Sequence, residues 1–425
     1  MFCQQKTRPN RKVTMMRAVL CVWILSAPIC MGRRHSGTDH DHDPAHPSNT
    51  SSLPLFNKAN NKFACSLFMK LLAQPESEGK NVFFSPRSVS MALSALATGA
   101  KGNTHQQIFS GLFYEKLGLT QKHVDQSFHD SLVFENETSH DVIDEGTAVF
   151  VDDNFKVKPE FEESLKKFYF ADEFNVDFAK SEEAVNEINK YVNEKTHGKI
   201  DQFLTSLSRD TIMYLLSFIY FKGQWKTAFI PENTKEEPFF VNATHQVPVQ
   251  MMNVIDDFDT HYVDNISTSV LRLPFSDSFS MLLLLPENMA KLEKEALCQH
   301  SFTECLQKTT TKECDVSLPK FSIKTEYKLA PVLSEMGMTE MFGPRANFTG
   351  ISESEKLLVS EVAHKATLDV DEAGATATGA TGVIMTTTAF SPPIPLKFNR
   401  PFVVMIYEND SKNLLFMGKI VNPTL

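Results

Sequence analysis

The stretch NVFFSPRSVSMALSALATGAKGNTHQQI, Asn81–Ile108, is where the fold is decided. NVFF reads as a short strand, ended by Pro86, which cannot donate to a ladder. RSVSMALSALATGA then reads as a helix of small residues, stopped by Gly99 and Gly102.

Working outward, LFNKANNKFACSLFMKLLAQ places Phe63, Leu67, Leu71 and Leu72 at helical spacing just upstream. Downstream, TAVFVDDNFKV (Thr147–Val157) has strand character with a turn at Asp152–Asn154. KPEFEESLKKFYF and SEEAVNEINKYVNEKTHGKI read as helices, the second with an N-cap at Ser181 and a stop at Gly198. TIMYLLSFIYFKGQW is a β-branched and aromatic run, a buried strand. VPVQMMNV, TSVLRLPF, SMLLLLP and CDVSLPKFSIKTEY follow as strands, and LAPVLSEMG as a helix. HKATLDVDEAG, PLKFNRPFVVMIYEN and NLLFMGKIVNP are the closing strands. No repeat and no Gly/Ser linker divides the body, so residues 55–425 are read as one α+β domain, helix-rich first and strand-rich later.

The N-terminus reads differently. Arg8, Arg11, Lys12 and Arg17 precede the apolar run AVLCVWILSAPIC, Ala18–Cys30. A basic segment before a short apolar one marks residues 1–32 as a signal peptide. The run is shorter than the roughly 20 residues of a membrane span. Residues 33–54 (RRHSGTDHDHDPAHPSNTSSLP from Arg33) are polar and are expected to be disordered. His40, His42 and His46 among Asp39, Asp41 and Asp43 resemble a weak chelator, but a solvated tail with no dedicated metal is the preferred reading. Secretion gives meaning to six sequons, at Asn49, Asn136, Asn242, Asn265, Asn347 and Asn409. Of seven cysteines, Cys65, Cys298, Cys305 and Cys314 lie beyond the signal, too few for a disulfide framework. One bridge among the last three, or unpaired thiols throughout, are both compatible with their spacing.

Chemistry is bounded by what does not occur. The net charge of −10 argues against general nucleic-acid binding and against an anionic membrane surface. No G-x-S-x-G elbow, Walker loop, G-x-G-x-x-G or H-E-x-x-H is found. GATATG has no Lys partner and no following helix, so a phosphate cradle is not supported. No catalytic residue, cofactor site or metal site is assigned, and an enzyme is not expected.

Several motifs, in order, resemble the signature of the serpin family: the opening stretch, INKYVNEKTHGKI, FIYFKGQWKTAF, LPKFSI, EVAHKATLDVDEAGA, KFNRPFVVMIYE and LLFMGKIVNPTL. The resemblance is colinear from about Leu55 to Leu425 and points to the secreted alpha-1-antitrypsin-like branch. It implies about nine helices, three β-sheets and an exposed reactive loop at about 372–396. It also implies a secreted monomer whose partner is a serine protease, held as a covalent acyl complex after the loop inserts as a new strand.

The loop sequence suits insertion. Ala375, Ala377, Gly379 and Thr381 share one parity of a strand, and Thr376, Thr378 and Ala380 the other. All are small and uncharged. By motif, Glu372, Gly374, Ala375, Thr376 and Ala377 match the family's hinge. Ser85, Ser88, His364 and Asn189 (or its neighbour Asn186) match the shutter beneath the sheet. Trp225, Lys320 and Glu372 match the breach where the loop enters. Counting forward from Glu372 places Thr388 before the scissile bond and Ala389 after it. Counting backward from KFNRPF places Phe390 before it and Ser391 after. Met385 is a third candidate. Phe390–Ser391 is preferred, because a large aromatic fills a hydrophobic primary pocket. That choice points to chymotrypsin- or elastase-like targets. A non-inhibitory hormone carrier and a coagulation protease inhibitor are the alternatives. Glycosaminoglycan activation is disfavoured, since THQQIFSGLFYEKLGLTQKH carries only Lys116 and Lys122 as full positive charges.

Overall fold

A computed structural model describes residues 52–138, 142–275, 278–295, 302–354, 357–374 and 392–425. Two hydrogen-bonded strand networks carry it. The first has five strands in the order Phe321–Lys328, Glu361–Val370, Met213–Lys222, Val142–Asp152 and Asp172–Val176. The second contains nine strands, and one of them, Gln246–Val263, pairs with three others. Its residues Gln246–Met251 pair with Lys235–Phe240, Met251–Thr260 with Thr310–Pro319, and its last five residues with Thr268–Pro274. Among the described residues hydrogen bonding therefore gives two sheets, the expected third being continuous with the second through this long strand. Nine α-helices accompany them among the described residues.

The opening stretch folds as its sequence suggests. Val82–Phe84 is a strand and Pro86–Gly99 a helix, with Pro86 at its start. Ser85 caps the helix, its hydroxyl accepting the N–H of Ser88 at 3.0 Å. Nearly every residue of the helix is buried, since it lies between the five-stranded sheet and the surrounding helices. Its exit is tight: a Cβ on Gly350 would stand 2.6 Å from the Gly99 carbonyl oxygen.

Met213–Lys222 shows why a strand can be apolar without alternation. Met213 and Leu215 enter the core under the helices. Tyr214, Leu216 and Phe218 pack with Ile188, Tyr191 and Val192 of helix Ser181–Lys195 on the opposite face. Further along, Ile219 and Phe221 join a third core between the sheets. Both faces are covered, so both carry apolar side chains.

Three local expectations are revised. Ser181 is the first residue of its helix rather than its cap, and Lys180 holds the cap position without a side-chain bond. CDVSLPKFSIKTEY is two strands, because the chain leaves one sheet at Pro319 and enters the other at Phe321. Cys65 is disulfide-bonded, whereas Cys305 and Cys314 are free thiols, so no bridge joins those two.

Candidate functional site

Within the five-stranded sheet, Glu361–Val370 and Met213–Lys222 run parallel, in register from Glu361↔Tyr214 to Leu368↔Phe221. The chain leaves Val370 and continues through Asp371–Gly374 toward the Ala/Thr/Gly run. A segment folding back from Gly374 would be antiparallel to Glu361–Val370 and therefore to Met213–Lys222. A strand between them could pair on both edges. The sheet thus has a topologically suitable slot next to the segment that could fill it.

The entrance of this slot is built around Trp225, which is 2% exposed and stacks on Phe275 at 4.5 Å. Its indole Nε1–H donates to the Asp371 carbonyl at 2.8 Å, and its backbone N–H donates to Ala373 O at 3.1 Å. A bridge to Gly374 extends the contact. Gly374 is required there, because a Cβ would stand 2.5 Å from the Ala228 Cβ and 2.8 Å from Trp225 O. Lys320 Nζ meets Glu372 Oε2 at 2.7 Å, and Thr234 donates to Oε1 at 2.9 Å. Lys222 pairs with Asp371 at 2.8 Å. Partial burial pushes the Glu372 carboxyl up, but the bonds from Lys320, its own backbone and Thr234 hold it below the usual range. Asp371 is likewise held low, the bonds from Lys222 and the Ala373 N–H outweighing burial. The structure places Trp225, Lys320 and Glu372 around one short segment, together with Lys222, Asp371 and Thr234.

Midway along the slot the chemistry changes. His364 is fully buried. Its Nε2 accepts the Ser85 N–H at 3.0 Å, which leaves the ring proton on Nδ1, 2.9 Å from Ser217 Oγ. Burial drives the imidazole from its ordinary 6.5 to about 3, outweighing the bond to Ser217, which raises it. The ring is neutral and bridges the two parallel strands, since His364 and Ser217 are register partners.

Ser85 bonds both the Ser88 N–H and His364, the Ser88 hydroxyl makes no bond among the described residues, and Asn189 lies apart from them. Its side chain accepts the N–H groups of Phe203 and Leu204 at 2.8 and 2.9 Å and donates to Leu204 O at 2.9 Å. The helix turns Ala184, Ile188, Tyr191 and Val192 to the sheet, and position 189 lies a helical step aside. Asn186 is exposed. Ser217 occupies the bridging role instead. Its signal was a single polar residue inside YLLSFIYF.

The loop returns at Ile394–Lys397, which pairs in parallel with Thr310–Pro319. Leu396 and Phe398 are buried, so this end is anchored. Ala375, Thr376, Ala377, Met385, Thr388, Phe390 and Ser391 lie outside the described residues, as does Asn49. Asn242, Asn265 and Asn347 are exposed. Asn409 is half-buried, its side-chain oxygen accepting from Ser280 at 2.6 Å and Arg272 at 3.3 Å. The side chain of Asn136 is outside the description.

Residues 58–423 match the model of the family Serpin (serine protease inhibitor). An alpha-1-antiproteinase of Ovis aries is 35% identical over 419 residues, covering 98% of each chain. An alpha-1-antitrypsin-like protein, GS55-MS, of Ictidomys tridecemlineatus is 36% identical over 387 residues, 90% of this chain and 92% of that one. Among solved structures, human thyroxine-binding globulin complexed with its hormone aligns with a TM-score of 0.81 at 28% identity, over 88% of this chain and all of that one. Mouse protein Z-dependent protease inhibitor aligns at 0.80 and 28%, over 88% and 99%. The family match, the full-length relatives and the slot beside a small-residue loop agree: this chain is a member of the serpin family, on its alpha-1-antiproteinase-like branch.

Proposed function

We propose that the chain is a secreted inhibitor of serine proteases that acts as a suicide substrate. The observation that carries this is the parallel pair Met213–Lys222 and Glu361–Val370, continuous with a small, uncharged segment that could enter between them. The target's serine oxygen attacks the Phe390 carbonyl. The Phe390–Ser391 bond breaks, the Ser391 amine leaves with a proton, and Phe390 remains as an ester on the protease. The freed segment from Gly374 to Phe390 then inserts antiparallel to both neighbours and carries the protease with it. Insertion must outrun hydrolysis of the ester, and a run without charge or Pro between residues 375 and 390 favours that.

Phe390 directs this chemistry to chymotrypsin- or elastase-like enzymes. Trypsin-like enzymes require Arg or Lys, and the loop has none between Glu372 and Lys397. Residues 1–32 are assigned as the export signal, 33–54 as a tail and 55–425 as the inhibitory domain. The chain acts as a monomer and forms a covalent complex with one protease. Exposed Asn242, Asn265 and Asn347 are the favoured glycosylation positions. A glycan on Asn409 would compete with the Ser280 and Arg272 network. The alternative of hormone carriage draws on the likeness to thyroxine-binding globulin.

Incubation with chymotrypsin-, elastase-, trypsin- and factor Xa-like proteases distinguishes these readings. The proposal expects a denaturant-stable band at the summed mass with one of the first two, and a released peptide beginning at Ser391. Simple cleavage with no covalent band from any of them overturns inhibition. A peptide beginning at Ala389 or Thr386 would move the scissile bond to Thr388 or Met385.

A further inference from the structure

A charged pair lies beneath the slot. Arg87, near the start of helix Pro86–Gly99, is 3% exposed, and its guanidinium meets the Glu145 carboxylate at 2.9 Å. The Glu145 side chain is 10% exposed. It belongs to Val142–Asp152, opposite Ile219 of Met213–Lys222. The strand is closely fitted here, since a Cβ on Gly146 would stand 2.4 Å from the Phe218 ring.

The topology gives the pair a direction. Ser85, at the cap of the helix, donates its N–H to His364 on Glu361–Val370. Two residues later Arg87 holds Glu145 on Val142–Asp152, which is paired with Met213–Lys222. The start of one helix therefore grips both sides of the slot. A strand entering between Glu361–Val370 and Met213–Lys222 must part the Ser217–His364 bond. As the two sides separate, it also loads either the Ser85–His364 attachment or the Arg87–Glu145 attachment.

Those two attachments differ in kind. A single buried neutral hydrogen bond costs about 1–3 kcal/mol when its partners part. A buried ion pair gives little net stability over an apolar pair of similar volume, yet it is costlier still to pull apart, because two buried charges then lose their mutual attraction without regaining water. We propose that Arg87 and Glu145 form a clasp across the slot that sets the rate at which the sheet opens. The clasp rests on the insertion reading above. It holds the sheet closed while the loop is intact and adds to the barrier that insertion crosses.

The test uses the full chain and a synthetic peptide copying residues 375–389, added to the intact protein. Uptake is followed by native electrophoresis and by the fluorescence of Trp225 at the slot entrance. Replacing both partners, Arg87→Leu with Glu145→Leu, should speed uptake by at least about tenfold, corresponding to a modest fall in barrier, while leaving the thermal midpoint nearly unchanged. Arg87→Met with Glu145→Gln, an uncharged pair closer in shape to the native one, should speed it several-fold and guards against a leucine double variant that does not fold. Uptake by wild type and both variants at one rate overturns the clasp and leaves insertion standing. No uptake by any of them overturns insertion, and the clasp with it.

Discussion

The entrance and the middle of the slot are built from opposite materials. At the entrance, Lys320–Glu372 and Lys222–Asp371 are ion pairs, with lysine side chains 47% and 38% exposed. At the middle, His364, Ser85, Ser88 and Ser217 are fully buried and neutral. Exposed pairs are screened and exchange partners with water at little cost, typically within about 1 kcal/mol. Buried hydrogen bonds cannot make that exchange, and leaving one unpaired costs about 1–3 kcal/mol per group. A strand entering from Gly374 therefore meets the weaker end first and the stronger barrier second. The order suits the proposed insertion, in which the loop is held out until it is cut and admitted quickly afterward.

The largest predicted effect is at the buried middle. His364→Ala leaves the Ser85 N–H and the Ser217 hydroxyl without their partner and opens a cavity. It should cost the native state about 3–5 kcal/mol, read from denaturant midpoints. The same site predicts a pH dependence. The ring titrates near 3 in the fold and near 6.5 unfolded, so protons bind the unfolded chain more readily between those values. The stabilisation is complete above about pH 6.5 and fades as pH falls toward 3, with roughly 2 kcal/mol gone by pH 5. The alanine variant should lack this slope. An unchanged slope would mean that other groups dominate.

The entrance should respond in a different pH range. Glu372 and Asp371 are both held below the usual carboxylate range. Their contribution is present above that range and is lost only as pH falls through it. Between about pH 6.5 and 4.5 the middle of the slot should therefore loosen while the entrance holds, which hydrogen exchange at Ser217 and at Trp225 would resolve.

Smaller effects are expected at the entrance itself. Gly374→Ala places a methyl group against Ala228 and the Trp225 carbonyl. It should part the bridge and cost roughly 1–3 kcal/mol, seen as a red shift and greater quenching of tryptophan fluorescence. Lys320→Met should cost less than about 1 kcal/mol, and the loss should shrink in high salt. A cost at the entrance as large as that of His364→Ala would undo the contrast between entrance and middle.

Much of this was legible in the sequence. The small-residue helix, the apolar strand Met213–Lys222 and the entrance residues Trp225, Lys320 and Glu372 follow from local patterns and motifs. What was hidden depends on register. Ser217 bridges to His364 only because two strands distant in sequence lie parallel and in step. Asn189 matches the shutter motif in sequence, but a single helical step turns it toward Leu204. Arg87 gives no sign in the chain that it is buried, because its partner Glu145 is brought to it only by the sheet. The split at Lys320 is likewise a matter of which sheet each half joins, and strand propensity is silent on that.

The central claim is that the loop can complete the five-stranded sheet. A protease that is not inhibited can be used to cut the chain once between residues 375 and 391, with both fragments remaining associated, and the cut and intact forms then compared by thermal unfolding. Insertion of the freed segment adds a doubly paired strand and releases the constraint that kept it out, so the midpoint of the cut form should rise by tens of degrees, on the order expected for several kcal/mol of added stability. An equal or lower midpoint after the cut would contradict the account.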